Sequence, residues 1–146
     1  MGLGAAMAVT TIPVVDLDRA RRFYGETLGL RVLFESGPTV RLEAGNGSQI
    51  SIFRRGATKA DHTVAHFEVD DVEATVADLE GRGVQFLDYA EGPLKTTGHI
   101  AQVGPTRGAW FLDTEGNILG LRDLGPMASR GSALDLGERE LTHRGG

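Results

Sequence analysis

Two side chains able to transfer protons, His66 and Glu68, stand two residues apart in a run, Thr63 to Val69, that predicts a β-strand. Alternation along a strand places both on one face. An imidazole titrates near neutral pH and a carboxylate can exchange its proton, so the two form a candidate catalytic pair for acid–base chemistry. A histidine satisfied by a neighbouring strand fits the same pattern equally well.

A second set of side chains offers hydrogen bonds and aromatic faces. Tyr89 and Trp110 each join a large apolar face to one polar group, which suits stacking on an aromatic ligand, although a core or dimer-contact role fits them as well. In two further predicted strands, one with Gln49, Ser51 and Phe53 and the last one with Arg122, alternation places these side chains on the face expected to bind a ligand. The candidate ligand-binding residues are Thr11, Gln49, Ser51, Phe53, His66, Tyr89, Trp110 and Arg122.

The remaining candidates lie in a long Gly-rich segment, Glu91 to Thr106, at the start of a strand and in the C-terminal tail. Loops of this length near a binding site often act as lids, but a solvated excursion is the favoured interpretation. The polar residues of this loop are Lys95, Thr96, Thr97 and His99. His62 and His143 belong to no spaced ligand motif, and we assign them no role.

The first half of the chain predicts a strand, a helix and three more strands. The first strand covers residues 8 to 15, and Pro13 within it, which lacks an N–H donor, indicates an edge position or an irregular stretch. Asp16 stands at the N-cap of a helix that Gly29 ends. The later strands, separated by Gly-containing turns, are Arg31 to Ser36, Val40 to Ala44 and Gln49 to Arg54.

The second half repeats this order. The strand Thr63 to Val69 leads into a helix opened by Asp70 and Asp71 and stopped at Gly83, and a strand from Val84 to Tyr89 follows. Aligning the two strand-to-helix junctions brings the two helix-ending glycines within one residue of each other. An internal repeat of this kind predicts two copies of one structural module.

Composition excludes several classes of function. The 146 residues carry a net charge of -5 with both signs interspersed, which leaves no basic surface for nucleic acid. The absence of cysteine excludes disulfides, thiolate metal sites and cysteine nucleophiles. No apolar run approaches the roughly 20 residues that span a bilayer. We expect a bacterial, cytoplasmic protein with no nucleic-acid or membrane partner.

Three motifs resemble one family in the order that family uses. They are the openings Val14 to Ala20 and Phe67 to Ala74 and the closing turn Trp110 to Asn117, with Phe23-Tyr24 and Leu28-Gly29-Leu30 after the first. Together they cover residues 9 to 124 and resemble the vicinal oxygen chelate superfamily of glyoxalases, bleomycin-resistance proteins and dioxygenases. In the closing turn, Asp113 and Asn117 can bond the backbone while Gly116 supplies a positive φ, which indicates a structural role.

The resemblance implies an α+β fold of two βαβββ modules that form a half-barrel pocket. We expect one domain over residues 8–124, with modules at 8–55 and 62–124 and flexible termini at 1–7 and 125–146. In this family each helix packs on one sheet face and the pocket lies on the other, so His66 and Glu68 should face the pocket. A homodimer is also expected, since such modules commonly pair within or between chains.

The resemblance also locates the divalent ion that many members bind. Their ligands are a His on the first strand of each module and a Glu on the last, and these positions fall on Val9, Val64 and Gly120. The equivalent position in the first module falls on Ser51, a poor ligand for a divalent ion. We therefore predict no metal and no cofactor, although a register shift of two residues would bring His66 into a ligand position.

Three functions follow from these observations. The favoured one is metal-independent binding of an apolar or aromatic small molecule, as in bleomycin-resistance members. The alternative is a glyoxalase-like lyase or isomerase that uses His66 and Glu68 for proton transfer, with or without a divalent metal. The last is a metal enzyme whose ligands lie elsewhere. The fold alone does not choose among them, and the identity of the ligand is left open.

Overall fold

The structure is a computed structural model that describes residues 2–59 and 61–123. The described chain divides into two compact units. The first comprises the chain up to Ala65 together with Leu112–Ile118, and the second comprises His66–Phe111 and the strand residues from Leu119 onward. The predicted flexible tail, residues 125–146, lies outside the described residues.

The first sheet contains four strands in the order β1-β4-β3-β2. Strand β1 runs parallel to β4, while the other pairs are antiparallel. Because β1 is an edge strand, Pro13 costs the sheet no ladder hydrogen bond on its outer side, as the sequence predicted. The four strands are β1 (Thr10–Val14), β2 (Arg31–Ser36), β3 (Thr39–Glu43) and β4 (Gln49–Arg54).

Helix α1 (Leu17–Arg22) begins where the sequence predicted, because the Asp16 carboxylate accepts a hydrogen bond from Arg19 N at 3.0 Å. The predicted helix does not continue regularly to Gly29. Phe23–Thr27 instead forms a π-helical turn, closed by a bond of 2.8 Å from Leu28 N to Phe23 O. Gly29 then leaves the helix with a φ of +80°, which a glycine adopts without strain.

The core of the first unit lies on one face of its sheet. Along β3, buried and half-buried side chains alternate, and Val40 and Leu42 lie on the core face. In β4, Ile50 and Ile52 lie on the core face, while Ser51 between them belongs to the opposite face and is buried as well. The buried hydrophobic side chains of the sheet and helical segment are Ile12, Val14, Ala20, Tyr24, Val40, Leu42, Ile50 and Ile52.

The second sheet has the order β5-β9-β8-β6, with β7 also paired to β8. Helix α2 (Val72–Gly81) starts at the N-cap Asp71, whose carboxylate accepts from Ala74 N at 3.2 Å. The helix buries Val72, Val76 and Leu79, as its spacing predicted. The strands are β5 (Thr63–Glu68), β6 (Phe86–Leu87), β7 (Ala101–Val103), β8 (Thr106–Leu112) and β9 (Ile118–Asp123).

Two predictions for the second half were wrong in detail. The predicted strand Val84 to Tyr89 reduces to Phe86–Leu87, the two residues that pair with β8. Within the segment expected to be a loop, Ala101–Val103 forms β7 and turns back through Gly104, whose φ is +60°, to pair with the start of β8. A glycine-rich composition therefore concealed a tight β-hairpin. None of the described helices is long and apolar enough to cross a membrane.

Candidate functional site

The closing turn between β8 and β9 is built around the buried carboxylate of Asp113. Its Oδ1 accepts from Glu115 N and Asn117 N, both at 2.8 Å. Its Oδ2 accepts from Asn117 Nδ2 at 2.8 Å and from the Tyr24 hydroxyl at 2.7 Å. With Asn117 also donating to Pro13 O at 3.0 Å, the turn has the structural role that the sequence predicted.

The acidic side chains of this region are all occupied by donors. Burial and the Asp113 carboxylate together raise the pKa of the Tyr24 phenol far above its ordinary value, so the hydroxyl stays a donor. Burial alone would raise the pKa of Glu115, but hydrogen bonds from Arg19 and from two backbone amides outweigh it and lower that pKa. The Arg19 to Glu115 bond is 2.7 Å long. These groups stabilise the fold and are not placed for acid–base chemistry.

The face of the first sheet opposite its core carries the predicted ligand-binding residues of that unit. Thr11 of β1 pairs with Ser51 of β4, and Ser51 pairs in turn with Arg41 of β3. Ser51 is only 7% exposed although its side chain is polar. We call this surface the polar face of the first sheet, and it includes Thr11, Phe34, Arg41, Gln49, Ser51 and Phe53, together with the paired residues Arg31 and Glu43.

Arg41 occupies the middle of the polar face and was not among the residues that the sequence singled out. Its Nη1 donates to Gln49 Oε1 at 2.7 Å, and its guanidinium carbon lies 5.3 Å from the centre of the Phe34 ring. Its Nε is buried and has no hydrogen-bond partner. The alternation of Val40, Arg41 and Leu42 in a predicted strand was the signal that could have placed this cation among the site residues.

The candidate catalytic pair, His66 and Glu68, is brought together in the second unit. His66 Nε2 lies 3.3 Å from Glu68 Oε2, within hydrogen-bond reach. The side chains are 41% and 71% exposed, however, and β5 is an edge strand of its sheet. The pair is therefore assembled but solvated, without the burial by which proteins usually tune an acid–base group.

The aromatic candidates of the second unit also meet. Tyr89 and Trp110 contact edge to face with ring centres 5.6 Å apart, a preferred aromatic geometry. Both side chains are half-buried, and Trp110 pairs with Leu87 across β8 and β6. Arg122, on β9, is exposed. Each ring keeps a face that is not covered by the other.

His99 of the long loop is tied to its own unit. Its Nδ1 lies 2.9 Å from Asp88 Oδ1, its Nε2 lies 2.7 Å from Glu80 Oε2, and its ring stacks on Phe86 with centres 5.4 Å apart. Hydrogen bonding to Asp88, and secondarily to Glu80, raises the pKa of His99. These contacts anchor the loop to α2, whereas Lys95 and Thr97 line a cleft of about 520 Å³ with other polar residues.

The positions to which the family resemblance assigns metal ligands do not carry a fitting donor set. Val9, Val64 and Gly120 supply no ligand atom from a side chain, and Ser51 supplies only a neutral hydroxyl. In the described part of the chain, no group of three or more His, Asp or Glu side chains is arranged to hold a metal ion.

Comparison with known proteins agrees with this architecture. The sequence model of the Glyoxalase/Bleomycin resistance protein/Dioxygenase superfamily matches residues 6–121, while no curated protein matches the chain. The structure of TnmS3, an antibiotic binding protein from Streptomyces sp. CB03234, is 25% identical with a TM-score of 0.60, covering 84% of this chain and 98% of that one. The predicted α+β fold is thereby confirmed.

Two further solved structures show the range of the likeness. A glyoxalase/bleomycin resistance protein from Streptomyces sp. CB03234 is 27% identical with a TM-score of 0.55, covering 80% of this chain and 98% of that one. Oxidase ChaP-H2 is 25% identical with a TM-score of 0.58, covering 82% of this chain and 94% of that one. Binding proteins and enzymes thus resemble this chain to a similar degree.

Proposed function

This chain belongs to the Glyoxalase/Bleomycin resistance protein/Dioxygenase superfamily, and we propose that it binds and sequesters an aromatic or apolar small molecule without a metal ion. The observation that carries the proposal is the chemistry of the polar face. It offers the rings of Phe34 and Phe53 beside the hydrogen-bonding groups of Gln49, Ser51 and Arg41, and Ser51 stands at a position to which the family resemblance assigns a metal ligand.

The comparisons support the binding class without deciding the ligand. TnmS3 is an antibiotic binding protein by its description, and it covers most of this chain at 25% identity. On the first unit the proposal uses Thr11, Gln49, Ser51 and Phe53. The second-unit candidates, His66, Tyr89, Trp110 and Arg122, remain predictions, as do the domain bounds 8–124, the homodimer and the cytoplasmic location.

The test is calorimetric titration with a neutral aromatic probe, 2-naphthamide, in buffer with and without EDTA. We expect one saturable site whose affinity the chelator leaves unchanged. Phe53→Ala, which removes a half-buried ring from the polar face, should weaken binding severalfold. Phe23→Ala is the matched control, because Phe23 is also half-buried but packs on Tyr24 instead. Loss of binding in EDTA, or no saturable binding in either buffer, would contradict the proposal.

A second candidate function is supported by the contact between His66 and Glu68. Their 3.3 Å separation would allow a lyase or isomerase to pass a proton between substrate and carboxylate. If the chain turns over a glyoxalase-type substrate, His66→Gln should abolish the activity. His62→Gln, which changes another exposed histidine, is the control.

A further inference from the structure

Arg41 differs from the other arginine of β2 and β3 that lies on the same side of the first sheet. Arg31 donates to Glu43 at 2.6 Å and is 71% exposed, so its charge is neutralised by a carboxylate and by water. Arg41 has no carboxylate within ion-pair distance among the described residues, and it bonds instead to the neutral amide of Gln49. Its positive charge and its remaining donors are therefore available to an anionic group, which a guanidinium binds well.

The Nε of Arg41 strengthens this inference. A buried donor without an acceptor lowers the free energy of unfolding, and native proteins rarely leave one in place without a reason. Because Nε and one Nη form a planar fork, they match two oxygens of a carboxylate. If the Arg41 side chain rotates, Nε leaves its covered position and the bond to Gln49 breaks. Both nitrogens of the fork can then donate to the ligand.

The neighbours of Arg41 indicate what carries the anionic group. Phe34 lies beneath the guanidinium and is half exposed, and Phe53 is half-buried on the same face. Ser51, the strand partner of Arg41, places a hydroxyl on the same face of the sheet. The aromatic ring of a ligand would stack near the two phenylalanines, and the oxygens of its anionic group would reach Arg41 and Ser51.

We propose that Arg41 anchors an anionic oxygen group, a carboxylate or phenolate, of an aromatic ligand bound on the polar face of the first sheet. This inference rests on the proposed function and narrows its ligand class. Since the whole chain carries a net charge of -5, the attraction must come from the local guanidinium and not from the overall field.

The test compares 2-naphthoate with 2-naphthamide, which has the same ring and no charge. The wild-type protein should bind the carboxylate about tenfold to a hundredfold more tightly, the range typical of a charge-assisted hydrogen bond. Arg41→Met should abolish this preference and retain the affinity for 2-naphthamide. Arg31→Met, which removes an equal charge from a paired arginine, should keep the preference.

A spectroscopic measurement makes the result independent of how well Arg41→Met folds. The Nε–H resonance of Arg41 is assigned by its loss in the folded variant Arg41→Lys. 2-Naphthoate should shift this resonance at the concentrations that saturate binding, and 2-naphthamide should not. Arg41→Lys, which keeps the charge and loses the fork, should retain only part of the preference.

The outcomes separate the two proposals. Equal affinity for both probes, or a preference that survives in Arg41→Met, overturns the role of Arg41 and leaves metal-independent binding of aromatic compounds standing. If neither probe binds at millimolar concentration, the proposed function is wrong and the role of Arg41 fails with it.

Discussion

Asp113 and Arg41 are both charged residues of the first unit, but they satisfy their charges in opposite ways. Asp113 accepts four hydrogen bonds from the Tyr24 hydroxyl, two backbone amides and the Asn117 amide. Arg41 makes one side-chain hydrogen bond within the described residues and leaves its buried Nε without a partner. The carboxylate of Asp113 is therefore fully hydrogen-bonded without a ligand, whereas the guanidinium of Arg41 has donors that no acceptor in the described protein uses.

This difference separates stabilising residues from binding residues. A buried carboxylate with all its acceptor positions filled contributes to folding, and removing it leaves several donors unpaired. A buried donor that has no acceptor lowers the stability of the free protein and can recover that free energy only when a ligand binds. Mutations should therefore affect stability at Asp113 and ligand affinity at Arg41.

The largest effect is expected for Asp113→Ala. The substitution removes the acceptor of four donors, two of them backbone amides, and should lower the free energy of unfolding by about 3 to 5 kcal/mol. Urea denaturation followed by circular dichroism measures it. Asp18→Ala, at an exposed position in the first turn of α1, is the control and should change stability by less than about 0.5 kcal/mol. A loss at Asp113 no larger than that would show that the turn does not depend on its carboxylate.

Tyr24→Phe isolates one bond of the same cluster. It removes the hydroxyl that donates to Asp113 at 2.7 Å and keeps the buried ring. We expect a loss of about 1.5 to 3 kcal/mol, the range for a hydrogen bond to a charged partner. In the background of Asp113→Ala the same substitution should cost much less, because the partner is gone. Additive effects in this double-mutant cycle would argue against coupling of the two groups.

Arg41→Met, unlike Asp113→Ala and Tyr24→Phe, should weaken ligand binding without lowering the stability of the free protein. Without a ligand, the variant should be as stable as the wild type or more stable by up to about 1 kcal/mol, because an unsatisfied donor is replaced by an apolar side chain. With 2-naphthoate present, the wild type alone should gain stability. Thermal unfolding with and without the ligand measures both effects. A large loss of stability in the free variant would mean that Arg41 is a structural residue.

The smallest effect on stability is expected from the titration of His99, a partly exposed histidine of the second unit. Hydrogen bonding to Asp88 raises the pKa of His99 in the folded protein above its value of about 6.5 in the unfolded chain. The stabilisation is therefore complete below about pH 6.5 and is lost as the pH rises through the folded pKa. Urea midpoints of the wild type should fall over this range, while those of His99→Gln should be flat. Parallel curves for the two proteins would contradict the prediction.

Much of the fold could be predicted because it depends on local patterns. Asp16 was predicted as an N-cap, and Asp70 with Asp71 as the opening of the second helix, and both Asp16 and Asp71 accept a hydrogen bond from an amide of the first turn. Pro13 correctly indicated an edge strand. The hairpin that contains Ala101–Val103 was missed because glycines at its turns suppress the propensity signal of so short a strand.

The candidate site was predicted less completely. Alternation identified Ser51 and its strand neighbours, and a spacing of two brought His66 to Glu68, since both rules act within one strand. Arg41 was missed, because a single arginine in a strand that also contains Glu43 is equally typical of a solvent-exposed surface residue. Its burial and its lack of a carboxylate partner depend on how three strands are paired.

The sequence by itself determined the family, the repeated order of elements and the hydrogen-bonding turn at Asp113, because each is encoded in residues close together in the chain. Only the tertiary structure decided which polar groups are satisfied. Pairing across β2, β3 and β4 placed Arg41 between Phe34 and Ser51, and the ion pair of Arg31 with Glu43 occupied the adjacent carboxylate. Whether a charged side chain has a partner depends on residues that are distant in sequence, so a local sequence pattern cannot predict it.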